Sequence, residues 1–129
     1  MHDARVLGVI PARLGSERLP RKPLYSLAGR PLIEWVWRRV SRFDAADTWV
    51  VATDSAEVAE RCRAIGAAVV MTGADHGSGT ERVAEVAMLE GYDRYEIIVN
   101  VQGDEPFVEE EHVRGSVEQV RAGWDIGTV

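Results

Sequence analysis

The sequence predicts an α/β fold, an open, mainly parallel, doubly wound sheet flanked by helices. Three observations predict it. Short apolar runs alternate with longer amphipathic stretches along the 129 residues, which is the pattern of successive βαβ units. The first run, Val6-Leu7-Gly8-Val9-Ile10, is β-branched and continuous, as in a strand buried on both faces. The segments richest in chemistry follow strands, at residues 11–24, 73–82 and 102–106, where such sheets bind ligands.

Arg5–Ile10 forms the first strand and Pro11-Ala12-Arg13 ends it. Pro31–Arg42 forms a helix, with Pro31 suited to its first position and Leu32, Trp35, Val36, Val40 and Phe43 at helical spacing. Trp35 and Trp37 cannot both face inward on that helix, so one meets another surface. Thr48–Thr53 is the second strand. Asp54 or Ser55 caps the next helix, whose stripe is Val58, Cys62 and Ile65 and whose end is marked by Gly66. Ala68–Thr72 is a third strand, and Thr80–Glu90 a third helix with Val83, Val86 and Ala87 inward. Glu96–Val101 is the fourth strand. Glu109–Arg121 is the fourth helix, with three glutamates where the dipole favours them. Trp124–Val129 has the pattern of a turn and the start of a further strand, at which the sequence stops, so a truncated fold is expected.

Composition narrows the function. Hydrophobic residues make up 46% and charged residues 28%, as in a soluble globular chain. One domain is expected, burying roughly two thirds of its unfolded surface. A net charge of −6 argues against general nucleic-acid binding, although a local basic loop can still hold a nucleotide. No apolar run approaches a membrane span, and MHDARVLG lacks a signal-peptide core. Cys62 is the single cysteine, which excludes an intramolecular disulfide and fits a cytoplasmic location. Neither a zinc-ligand spacing nor a G-x-S-x-G elbow is present.

The loop PARLGSERLPRKPL holds Arg13, Arg18, Arg21 and Lys22 with Gly15 and Ser16. Cations and backbone N–H groups at one strand end suit a polyphosphate. A solvated basic surface is the bland alternative, and no Gly-Lys-Ser/Thr opens a helix here. Asp104 in Gln102-Gly103-Asp104-Glu105-Pro106 is an oxygen donor suited to Mg²⁺. Taken alone, the same segment is also an ordinary turn, with Glu105 either a group that supports the metal ligand from behind or a solvated turn residue. Ser78 and Glu81 fit a capping box, and the surrounding glycines could equally present backbone groups to a ligand. His76 orients that loop, contacts a ligand, or is an ordinary polar loop residue.

Arg13, Ser16, Arg18, Leu19, Pro20, Lys22, Pro23 and Leu24 stand as in the opening signature of the sugar-acid cytidylyltransferases. ADHGSGTERVAEV and IVNVQGDEP agree, and within that family the chain most resembles the 3-deoxy-manno-octulosonate (Kdo) branch. The resemblance implies a Rossmann-like, nucleotidyltransferase-type sheet that takes CTP and a sugar acid as partners and Mg²⁺ as cofactor. The implied product is CMP-Kdo, an activated donor for lipopolysaccharide. It places Arg13, Ser16, Arg18 and Lys22 on the triphosphate, Ala12 among the nucleotide-binding residues, and Ser78, Gly79 and Thr80 near the cytosine. Gln102 would line the nucleotide and sugar-acid site, Asp104 would hold the metal, and Lys22, Arg18 and Asp104 would carry catalysis. Arg21 has no counterpart of fixed type, and Gly73 stands where related sequences often carry arginine.

The resemblance covers about the first half of a family member, so residues 1–129 are expected to be the nucleotide-binding half, with the C-terminal half absent. In the family that other half supplies a second metal-binding aspartate, most of the sugar-acid pocket and the segment that builds the homodimer. Alternatives are an enzyme for another acid such as a sialic acid, a sugar-1-phosphate nucleotidylyltransferase, or a CTP-binding module without turnover. The second lacks support, because PARLGSERLP does not match a G-x-G-T-R opening.

Overall fold

The computed structural model describes residues 5–14, 21–73, 79–89, 91–92, 94–103, 106–121 and 127–128. Its strands are β1 (Val6–Ala12), β2 (Ser26–Leu27), β3 (Arg30–Pro31), β4 (Thr48–Thr53), β5 (Val69–Met71), β6 (Ile97–Asn100) and β7 (Gly127–Thr128). The helices are α1 (Leu32–Val40), α2 (Ala56–Ala64), α3 (Gly79–Met88) and α4 (Glu110–Arg121), with a 3-10 turn at Lys22–Leu24.

The main sheet has the order β5-β4-β1-β6-β7, and every neighbouring pair is parallel. The chain works outward from β1 through β4 to β5. It then crosses back and lays β6 and β7 on the other side of β1. The order therefore reverses between β1 and β6, and a crevice opens beyond the C-terminal ends of those two strands.

Alternation along β1 sorts the core into two layers. Val6, Ile10 and Ala12 pack with Ile33, Val36 and Val40 of α1, Val58 and Cys62 of α2, and Val113 of α4. Leu7 and Val9 pack with Val83 and Val86 of α3 on the opposite face. All seven residues of β1 are buried, as its continuous apolar run requires. Gly8 lies opposite Trp49 in the ladder. A Cβ at Gly8 would sit 2.2 Å from Trp49 Cε3, so the indole occupies the space that a side chain there would need.

Ser55 caps α2, its Oγ accepting from the Val58 N–H at 3.2 Å, and Gly66 takes the left-handed conformation beyond the helix end (φ 83°). Asp54, the other candidate cap, points to Arg82 instead. Pro31 does not occupy the first turn of α1. Its ψ of 148° is extended, because it pairs with Ser26 in the short β2–β3 ribbon. The same ribbon settles the two indoles. Trp35 Nε1 donates to the Leu27 carbonyl at 2.6 Å under the Arg30 guanidinium, whereas Trp37 packs on the core.

Helix α1 ends at Val40, short of the expected Arg42, with Ser41 as its cap. Ladder bonds carry β5 and β6 one residue further: Thr72 N–H donates to the Thr53 carbonyl and Val101 N–H to the Val9 carbonyl. Helix α3 begins at Gly79 and stops at Met88 rather than Glu90. The first turn of α4 holds Glu110 and Glu111, preceded by Glu109, whose carbonyl accepts from the His112 and Val113 N–H groups. Gly127 and Thr128 pair with β6 as the further strand, and residues 124–126 lie outside the described residues. Among the described residues no helix is long and apolar enough to cross a membrane.

Candidate functional site

The crevice has one lip from β1 and one from β6. Arg13, half-buried, follows Ala12 at the end of β1. On the other lip the Gly103 N–H donates to the Pro11 carbonyl at 3.1 Å, which fastens the chain after β6 to the last turn of β1. A Cβ at Gly103 would lie 3.0 Å from Ile33 Cδ1 and 3.1 Å from both Ala12 Cβ and the Pro11 carbonyl. Only glycine lets the two lips approach this closely without a shift. Gln102 is half-buried and donates through Nε2 to Asn100 Oδ1 at 3.3 Å. Buried polar residues close the ends of the strands flanking β1, Asn100 on β6 and Thr53 on β4.

Arg21 pins the far end of the basic loop. Its N–H donates to the Leu14 carbonyl at 2.9 Å and its backbone is left-handed (φ 65°). Its guanidinium meets both carboxylate oxygens of Glu57 at 2.7 Å. Arg21 therefore ties the loop to α2. Lys22 follows at once, half-buried at the start of the 3-10 turn, and its carbonyl accepts from the Tyr25 N–H at 3.0 Å. Lys22 and Arg13 thus flank the same loop from rooted backbone positions, in a chain whose net charge is −6. Ser16 and Arg18 lie outside the described residues.

A third wall comes from β5 and α3. Gly79 and Thr80 open α3, where first-turn N–H groups lack intrahelical partners. Ser78 and His76 lie outside the described residues, as does Asp104, the residue after Gly103. The residue that sequence reasoning missed is Arg82, 1% exposed and the largest fully buried side chain among those described. Its Nη1 donates to Thr72 Oγ1 and, at 3.1 Å, to the Gly73 carbonyl. Asp54 Oδ1 stands 3.7 Å away. A signal was available: Arg82 lies four residues before Val86 and shares its inward stripe.

The magnesium expectation rests on Asp104, which lies outside the described residues. Among the described residues no group of three or more His, Cys, Asp or Glu could enclose a metal ion. The donor chemistry expected here is different, a single carboxylate following the Gly103 approach. It fits a hard cation that keeps its waters and takes phosphate oxygens as further ligands.

A family model described as cytidylyltransferase matches residues 7–125. A 3-deoxy-manno-octulosonate cytidylyltransferase from Gemmatimonas aurantiaca is 55% identical over 118 residues, covering 92% of this chain and 46% of the relative. The chain thus spans about half the length of that curated relative. Among solved structures, a CMP:2-keto-3-deoxy-manno-octonic acid synthetase complexed with CTP superposes with a TM-score of 0.82 at 37% identity. That match covers 93% of this chain and 48% of the other. Rv0371c from Mycobacterium tuberculosis, determined with manganese, has a TM-score of 0.61 at 22% identity, a likeness of fold.

Proposed function

The chain belongs to the cytidylyltransferase family, and on that footing we propose that these residues form the nucleotide-binding half of a CMP-Kdo synthetase. The reaction is cytidylyl transfer from CTP to 3-deoxy-D-manno-octulosonate, with release of pyrophosphate. The observation that carries this reading is the β1–β6 crevice, with Arg13 on one lip, Gln102 and Gly103 on the other, and Lys22 rooted where the basic loop returns.

Attack at the α-phosphorus builds negative charge on non-bridging oxygens and on the departing pyrophosphate, so positioned cations lower the barrier. Lys22, a compact point charge, suits the α-phosphate. Arg13 and Arg18 suit two-pronged contacts to the β- and γ-phosphates, with Ser16 donating a further bond. Backbone groups at Gly79 and Thr80, with Ser78, would serve the base, and Gln102 would line the nucleotide and sugar-acid site. Asp104 would hold Mg²⁺, which when bound neutralises phosphate charge. The carbohydrate product is an activated donor for lipopolysaccharide assembly, and the working location is the cytoplasm.

The test is pyrophosphate release with CTP and Mg²⁺, comparing 3-deoxy-manno-octulosonate with sialic acid, alongside calorimetric binding of CTP and UTP. Release with the first acid alone supports the full assignment. Selective CTP binding without release supports a nucleotide-binding half that needs its complement, in keeping with 46% coverage of the relative. Absence of CTP binding by folded protein refutes the reading.

A further inference from the structure

We propose that Arg82 is a positioning residue for base recognition. Its buried guanidinium locks the first turn of α3 to the ends of β4 and β5, and through that lock the site prefers cytidine to uridine triphosphate. The proposal rests on the assignment of Gly79 and Thr80 to the base given above.

Burying a guanidinium is costly unless its donors are bonded and its charge is met. Arg82 meets both conditions with groups from two separate segments, and so joins three elements. Thr72 and Gly73 follow β5, Asp54 follows β4, and the arginine itself sits three residues into α3 from Gly79. A second tie reinforces the first, because the Gly73 N–H donates to Glu85 Oε1 at 3.0 Å. Both backbone groups of Gly73 are therefore held by side chains of α3.

Its neighbours on the inward face, Val83 and Val86, are apolar, and an apolar residue at position 82 would pack there without the cost of a buried charge. What arginine adds is register. Its Nη1, on which Thr72, the Gly73 carbonyl and Asp54 converge, fixes where the first turn of α3 stands relative to the strand ends. Cytosine and uracil differ in donor and acceptor at one edge, so telling them apart requires backbone groups held in place. Triphosphate contacts come from the other side of the crevice, from Arg13 and Lys22, and do not depend on this lock.

The experiment measures affinities of the 129-residue chain for CTP, UTP and inorganic triphosphate by calorimetry. It compares wild type with Arg82→Met, Arg82→Lys and Thr72→Val, each checked for folding by circular dichroism. In Arg82→Met, CTP affinity should fall about tenfold, the CTP-to-UTP ratio should collapse toward one, and triphosphate affinity should stay within about twofold. Arg82→Lys should fall between, because it keeps the charge on a shorter stem whose ammonium ends short of the position of Nη1, where the three anchors converge. If Arg82→Met does not fold, Thr72→Val removes a single anchor and should show the same narrowing. An unchanged CTP-to-UTP ratio in a folded variant would overturn the proposal, as would parallel losses of CTP and triphosphate. A wild-type chain without preference for CTP would instead overturn the assignment of the base site, and this proposal with it.

Discussion

Replacing Gly8 with alanine should destabilise the fold by about 3 kcal/mol, the upper part of the usual range for overpacking a filled core. The new methyl would lie 2.2, 2.4 and 2.5 Å from three atoms of the Trp49 ring. Carbon atoms rest about 3.5–4.0 Å apart, so one partner must move by more than an ångström. Neither has room. Trp49 is 7% exposed, and β1 is hydrogen-bonded on both sides, to β4 and to β6. The opposing gain, from restricting the unfolded chain, is only about 0.4–1 kcal/mol. The clash wins, and for a chain of this length the melting temperature should drop by about 10 °C. Thermal and urea unfolding followed by circular dichroism measure the loss. The double variant Gly8→Ala/Trp49→Val opens the space that the methyl needs. It should recover at least about 1.5 kcal/mol relative to additivity. A drop within about 2 °C for Gly8→Ala, or coupling below about 0.5 kcal/mol, would refute the packing account.

Lys22→Ala should weaken CTP binding by about tenfold or more, the scale of a lost charge-assisted contact, and flatten its salt dependence; calorimetry at two ionic strengths checks both. Ser55→Ala removes the cap of α2 and should cost about 1 kcal/mol in urea unfolding, with nucleotide affinity unchanged. Burial, with a smaller contribution from Glu34, pushes the Cys62 thiol from 9.0 up to about 11. The unfolded chain therefore ionises first: the contribution of Cys62 is complete below pH 9.0 and is lost as pH rises toward about 11. Wild type should lose more stability than Cys62→Ala across that window, and in native protein at pH 8 the thiol should resist disulfide reagents.

The parallel strands were legible because apolar runs bounded by turns leave few alternatives, and the ends of α2 because Ser55 and Gly66 carry their own local chemistry. The β2–β3 ribbon was not legible. Two residues per strand give no periodicity, and Pro31 suits an extended position before a helix as well as the first turn. That Arg13, Gln102 and Gly103 follow strand ends was legible, whereas the adjacency of their strands comes only from the strand order of the structure. Arg82 escaped because a charged residue among valines looks like a flank of the stripe; its partners, Thr72 and Asp54, are distant in sequence. The pairing of Arg21 with Glu57 was equally hidden, because Glu57 lies on another element and sequence offers no hint of it.

The seam between β1 and β6 also governs when the site can come into being. Gly8 meets Trp49 across one connecting unit, but it meets Val99 only after β4, α2, β5 and α3 have all been laid down. Contacts so distant along the chain are entropically late and slow to form. During synthesis the β1–β4–β5 portion can assemble first, displaying Arg13 at an open sheet edge with no opposing lip. A nucleotide bound across that seam, as proposed, would select the closed form, acting as a clasp across the slowest junction of the fold whose stabilisation rises with the logarithm of nucleotide concentration.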